Sequence, residues 1–358
     1  MKNIYSILLA FFLVVLIAFP VDQVTAGNKD RSGQAGASEL LINPWAKSSG
    51  WGGVGTACTH GLEALFTNIA GTAFTTGTEI VFSYTNWLQG SGISIYSFGL
   101  SQKLGQNKGV LTAAVMSMNF GEIDITTTNS PEGGLGTFKP AYMNINIGYA
   151  KAFSNSIYGG INFKIISESI SDASALGIAI DAGVQYVTGE RDQIKFGVAL
   201  KNVGTPMRFT GDGLSFRGII PGHGDDNDLF TVSQRSEKFE LPATLRIGAS
   251  YDFLIGEMNR ITLAGNFNSN SFTRDQFILG LEYALKYYLT LRAAYTYQQG
   301  IFETNVADRG TVFTGLSAGF TVSVPFSREK ETGIGIDYSY RSTNPFGGVH
   351  NVGITLNF

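Results

Sequence analysis

Asn351-Val352-Gly353-Ile354-Thr355-Leu356-Asn357-Phe358 decides the fold: Val352, Ile354, Leu356 and Phe358 alternate without a break with Asn351, Gly353, Thr355 and Asn357. Successive side chains of a β-strand point to opposite faces, so this segment has one apolar face and one small or polar face. Just upstream, Ile334, Ile336, Tyr338 and Tyr340 alternate with Gly333, Gly335, Asp337 and Ser339. The rhythm continues backwards through Leu289–Gln298, Thr244–Tyr251, Ile194–Lys201 and Met143–Ala150. It predicts fourteen strands, at 78–87, 91–104, 108–120, 140–153, 157–168, 174–188, 192–203, 241–254, 259–268, 275–285, 288–298, 311–325, 332–341 and 349–358.

A soluble β-sandwich would show the same alternation, and three features select a transmembrane barrel instead. The segments are long, whereas globular strands average about 5–6 residues. Tyrosines gather near segment ends (Tyr149, Tyr283, Tyr287, Tyr295, Tyr297, Tyr340), as interfacial girdles require. Phe358, at the end of an amphipathic strand, resembles the C-terminal signal read by outer-membrane assembly machinery. Connection lengths supply an independent check. Turns after even-numbered strands are tight, as at Ser154-Asn155-Ser156 and Gly189-Glu190-Arg191, whereas the long connections 121–139, 204–240 and 299–310 all follow odd-numbered ones. Short periplasmic turns and long outer loops produce that pattern, and it places both ends of the barrel sequence in the periplasm.

Composition agrees. Charged residues make up 15%, against about 25% in soluble domains, while glycine is abundant at 45 of 358 residues. Hydrophobic residues make up 44%, with no run after residue 26 long enough for a membrane helix. A net charge of -3 gives no basis for a nucleic-acid partner, and the lone Cys58 excludes an internal disulfide. The charges on the predicted lumen face are Lys164, Asp181, Lys195, Lys201, Arg246, Asp252, Glu282, Arg292 and Asp337. Their mixed signs suggest salt bridges in a plugged barrel. A greasy conduit or a pore with one sign at a constriction would look different.

The N-terminus reads as a cleaved leader: Lys2, an apolar run from Ile4 to Phe19, Pro20, and Val24-Thr25-Ala26 before Gly27. The expected organisation is therefore a signal peptide at 1–26, a plug or hatch at 27–77 and a barrel at 78–358. Within the hatch, Ala37–Leu41 and Gly61–Phe66 read as short helices between Gly-rich turns.

The hatch also carries the most specific string. Gly36-Ala37-Ser38-Glu39-Leu40-Leu41-Ile42-Asn43-Pro44-Trp45-Ala46-Lys47-Ser48-Ser49-Gly50-Trp51-Gly52-Gly53-Val54-Gly55-Thr56-Ala57 resembles the opening of the PorV/PorQ family, chiefly its PorV branch. Asn68-Ile69-Ala70-Gly71-Thr72-Ala73 is similar to the Asn-Pro-Ala-Gly-Leu-Ala that follows there and in FadL-type barrels. Lys47, Trp51 and Ile69 depart from the usual Arg, Met and Pro. The resemblance implies a fourteen-stranded FadL-like barrel in the outer membrane of a Bacteroidota-like cell. It further implies a role in type IX secretion, binding the C-terminal signal domain of secreted cargo and passing it from translocon to attachment machinery. The alternative is a FadL-type transporter of hydrophobic small molecules.

No catalytic constellation stands out, and neither enzyme activity, cofactor nor metal is expected. His60, His223 and His350 lie in separate regions without metal-ligand spacing, and the acidic stretch 222–228 lacks the spacing of a helix–loop–helix calcium site. The candidate partner-binding residues are Phe209, Phe216, Ile219, Ile220, Leu229 and Phe230. They form an apolar group in the longest loop, where a solvated connection seldom needs so many, and two roles are open to them: packing on the barrel rim or binding a protein partner.

Overall fold

The computed structural model describes residues 31–105, 108–220, 228–256, 258–286, 288–303, 305, 309–327 and 332–358. The expected leader, its cleavage site, Tyr287, His223 and nearly all of the acidic stretch lie outside the described residues.

Fourteen antiparallel strands close into a barrel. They are β1 Thr78–Trp87, β2 Ile93–Lys103, β3 Val110–Asn119, β4 Ala141–Ala152, β5 Ile157–Ile170, β6 Ala173–Thr188 and β7 Ile194–Gly204. The second half is β8 Thr244–Ile255, β9 Asn259–Asn270, β10 Gln276–Leu285, β11 Leu289–Gln298, β12 Phe313–Ser327, β13 Thr332–Thr343 and β14 Val349–Asn357. Every strand pairs with its neighbour in sequence, and β1 closes the ring on β14 from Glu79↔Asn357 to Asn86↔His350. The fourteen expected segments and these strands differ by a few residues at their ends, where turn geometry competes with alternation. The long outer connections add two small ribbons, Ile123–Asp124 with Thr137–Phe138 and Ser215–Gly218 with Phe230–Ser233.

Parity holds around the ring. Phe98, Ile147, Leu279 and Ile336 are exposed on the outer face, while Asp337, Lys164 and Asp181 are buried within. An outward band of Phe, Ile, Leu and Val is what lipid demands, since a charge at the bilayer midplane costs about 2–4 kcal/mol. The short turns mark the periplasmic end.

Inside the ring sits the hatch, built from short helical turns at Ser38–Leu41, Ala46–Gly50, Leu62–Phe66 and Ile69–Phe74. Its local chemistry is readable. The Asn43 side chain accepts a hydrogen bond from the Trp45 N–H at 3.1 Å, and the Asn68 side chain accepts one from the Ala70 N–H at 3.1 Å. Asn68 thereby caps the turn that follows it, while the Asn43 bond closes a tight turn just before the Ala46–Gly50 helix. Gly52 and Gly53 both adopt positive φ (62° and 76°), so the Gly-Trp-Gly-Gly stretch bends back on itself where a side chain would be strained.

The seat of the hatch explains part of the glycine surplus. On the barrel's inner face Gly160 pairs with Gly183, and Gly197 with Gly248. A Cβ on Gly183 would lie 2.0 Å from Asn68 Oδ1, and one on Gly197 2.2 Å from the Thr56 carbonyl oxygen. The wall is stripped of side chains where the plug backbone approaches it. Side chains then lock the plug. Asn68 Nδ2 donates to the Thr56 and Val184 carbonyls at 2.8 and 3.0 Å, Asn351 Nδ2 donates to the Pro44 carbonyl at 2.7 Å, and the Lys201 ammonium donates to the Phe66 carbonyl.

Candidate functional site in the lumen

The lumen has two unlike sides. On β1–β4, where alternation leads one to expect polar side chains, the inner face carries Val81, Ile95, Ala114, Met116 and Met118. These pack on Trp45, Leu62, Leu65, Phe66 and Ile69 of the hatch, with Trp45 set edge-on to Phe66 at 5.8 Å. Toward the outer rim the cluster continues through half-buried Ile42, Trp87, Ile93, Phe120 and Tyr142. The result is an apolar column from the outer mouth down to the plug. On this side packed apolar contacts hold the plug, beside the salt bridges that the mixed lumen charges lead one to expect. The signal was present as Ile93, Ile95, Met116 and Met118 at inward positions of one hairpin, but the hatch residues that cover them come from a separate stretch of chain.

Across the barrel the inner face is polar. Near the outer mouth, Asn266 donates to Asn268 at 2.6 Å, Asn268 to Gln276 at 3.3 Å and Gln276 to Gln298 at 3.0 Å, forming a ladder of amides over β9–β11. Deeper, most of the expected lumen charges pair, whereas Arg246 makes no ion pair among the described residues and Lys201 serves the hatch. Lys164 meets Asp181 at 2.7 Å, Lys195 meets Asp252 at 2.6 Å, and Glu282 is held by Arg260 at 2.6 Å and Arg292 at 2.7 Å. Asp337 accepts from Thr321 at 2.5 Å and Thr355 at 3.0 Å. Charges in a dry interior persist when paired and hydrogen-bonded, as these are.

Beneath the plug, toward the periplasm, lies a polar vestibule of about 400 Å³. Lys47, Glu63, Lys195, Asp252, Arg260, Glu282 and Arg292 line it. Glu63 ties two turns of the hatch together, its Oε2 accepting from the Ser48 N–H and Oγ–H at 3.0 Å each. Burial pushes the Glu63 carboxyl up to about 7 against the opposing pull of Lys47. Burial would draw the Lys47 ammonium down, but Asp337, Glu63 and Glu79 around it win and hold it above its ordinary value. Burial pushes the Cys58 thiol up to about 12, so it stays protonated and unreactive.

On the lipid face, Leu263, Leu279, Leu281, Tyr295 and Leu316 border an apolar groove of about 640 Å³ floored by Gly280, Ala293, Ala294 and Ala318. Directly behind it, inside the lumen, Trp51, Val54, Ala264, Ile278 and Ala294 form a second apolar cluster. Pairing is continuous across the groove and becomes irregular toward its outer end. Pairing of β11 with β12 stops at Tyr295↔Leu316 although β11 runs on to Gln298, and β12 shifts register against β13 between Phe313 and Ser317.

The six candidate partner-binding residues separate. Phe216, Ile219, Ile220 and Leu229 are exposed on and beside the outer ribbon, and Phe230 is half-buried opposite Gly218. Phe209 leaves the group. It lies against Phe239 at 5.8 Å and seals a third cluster with Met207 and Leu241 at the loop's base, because the returning chain supplies an apolar partner that local sequence does not reveal. Among the histidines, His60 stacks on Phe74 at 3.8 Å and His350 bonds the Tyr338 hydroxyl at 2.8 Å.

No protein-family model and no curated protein sequence matches the chain. Solved structures do. A TodX deltaS2S3 mutant, a monoaromatic hydrocarbon channel, is similar with a TM-score of 0.54 at 12% identity, covering 87% of this chain and 98% of its own. The Pseudomonas putida toluene transporter TodX gives 0.52 at 11% identity over 84% and 93%. The monoaromatic hydrocarbon channel CymD gives 0.51 at 12% identity over 89% and 98%. At such identities the likeness concerns the fold. This chain is a fourteen-stranded barrel of the outer-membrane type, with the architecture of those channels.

Proposed function

We propose that the protein is an outer-membrane channel for small hydrophobic molecules, the aromatic hydrocarbons carried by its structural neighbours being the first class to test. The observation that carries this reading is the apolar column on β1–β4, running from Trp87, Phe120 and Tyr142 at the outer mouth to Trp45 and Phe66 in the hatch. Polar solutes lose hydration there without compensation, whereas an apolar solute exchanges water for side chains at roughly 25 cal/mol per Å² buried. The sheet at β10–β12, apolar on both faces and irregularly paired at its outer end, is the place where a sideways exit into the membrane would be sought.

Uptake tests this directly. Cells whose outer membrane carries the barrel should accumulate labelled toluene faster than cells without it, and Met116→Asp should abolish the gain by placing an unpartnered carboxylate in the column. Unchanged toluene entry in the presence of correctly assembled barrel would overturn the reading.

A second reading rests on a different observation. The exposed Phe216, Ile219, Ile220 and Leu229, together with the string at 36–57, support a PorV-like role in which the outer loop binds the C-terminal signal domain of secreted cargo handed over by a translocon. Trimming the loop between Gly211 and Phe230 should then abolish capture of that domain in a pull-down while sparing toluene uptake. Cargo capture that survives the trimming would overturn this second reading.

A further inference from the structure

The tip of the hatch, Ala37–Leu41, is fixed to the wall near the outer end of β5. Ala37 and Leu40 pack on Ile166, Ala175, Met207 and Leu241, the Gly36 N–H donates to the Glu240 carbonyl at 3.1 Å, and Arg31 pairs with the Glu240 carboxylate at 3.1 Å. Within this contact Glu39 of the tip and Glu168 of β5 are both buried, and the packing of Ala37 and Leu40 on Ile166 and on Ala175, the cross-strand partner of Glu168, sets the two acids side by side. Glu168 also accepts from the Ala37 N–H. Neither oxygen of Glu39 meets a donor from another of the described residues, and no lysine or arginine there pairs with either acid. The other titratable group facing the pair is Tyr142 on β4.

Two ionised carboxylates have only acceptors to offer each other, so a buried contact between them lacks a donor. Nor do two adjacent like charges ionise together in a dry site. We propose that Glu39 and Glu168 share one proton, forming a clamp that holds the hatch tip against the barrel, and that loss of this proton to solvent frees the tip below the outer mouth. The clamped state is one O–H···O⁻ bond with a charge of -1, and the released state is two carboxylates repelling one another. Because Ile42 and Trp45 follow directly in the chain and close the apolar column, the clamp governs access to it.

Burial, then the neighbouring Glu168 charge, raises the Glu39 carboxyl to about 8. The sign follows from linkage. The docked tip holds the proton more tightly than a free tip, so docking is firm in mild acid and weakens as pH rises from the usual carboxylate range to 8, by about tenfold per pH unit. The clamp does not depend on what the barrel conducts.

Ser38 is exposed on the tip and accepts a reporter. A nitroxide on Ser38→Cys, in a Cys58→Ser background of the assembled barrel, should be immobile at pH 6 and turn mobile, reversibly, by pH 9. In Glu39→Gln the amide N–H donates to Glu168 without a proton from solvent, so the label should stay immobile throughout. Glu168→Gln should behave alike if the first variant fails to assemble. Infrared spectra of the unlabelled barrel at pH 7 should contain a protonated-carboxyl band that both variants lose. A wild-type label indifferent to pH, or the same transition in both glutamine variants, would overturn the clamp.

Discussion

The β1–β4 side of the lumen and the β5–β13 side use one strand pattern for opposite ends. Both alternate, and both put large apolar residues outward, yet inward the first presents Ile95, Met116 and Met118 while the second presents Asp181, Asp252 and Glu282. The difference teaches how a plug is held and passed at once. On the charged side, ion pairs and the amide ladder consume their own donors and acceptors, so that wall is rigid and offers a passing solute little. On the apolar side, contacts are non-directional and can be exchanged for a hydrophobic guest without leaving a polar group unpaired. The plug belongs to both. Lys201 and Asn68 tie it to the polar side, and Trp45, Leu65 and Ile69 lie against the apolar one.

The largest break in this comparison should come from Glu282→Ala. It strands Arg260 and Arg292 at the vestibule, and losing one partner of a buried pair costs about 3–5 kcal/mol. The heat-modifiable gel shift of the folded barrel should then occur at a markedly lower temperature. Gly197→Val should have the next effect. A Cβ 2.2 Å from the Thr56 carbonyl cannot be accommodated without displacing the plug, an overpacking cost of about 1–3 kcal/mol, and planar-bilayer recordings should register more frequent open events. Bilayers that stay as quiet as wild type would mean that the plug does not sit where the glycines leave room for it.

Asn351→Ala removes the hydrogen bond to Pro44, worth about 1 kcal/mol, together with the one accepted from Ser83 within the wall, and should loosen the plug only slightly, seen as a small rise in open probability with the barrel still assembled. The smallest effect sharpens the contrast. Asn268→Leu interrupts the amide ladder opposite the apolar column, and toluene uptake should change less than twofold. A collapse of uptake in this variant would place the solute path on the polar side and undo the assignment of the column.

Period-two alternation located all fourteen strands, because a strand between lipid and lumen can satisfy both only by alternating. Loop lengths gave orientation for the same kind of local reason. The inward charges of β5–β13 were legible too, since a charged residue on an otherwise apolar strand has one acceptable face. That Phe209 packs at the loop's base was not legible, because its partner, Phe239, arrives from thirty residues further on.

The sequence by itself determined the barrel, its strand count, its inside and outside, and the presence of short turns in the hatch, since each depends on interactions within a segment or with the two solvents. Only the tertiary structure decided which inward residues meet: Met116 with Trp45 in a column, Glu282 between two arginines, Glu39 against Glu168, and glycines at the plug's seat. Those contacts depend on ring closure and on where the plug comes to rest, and neither is encoded in the spacing of any one strand.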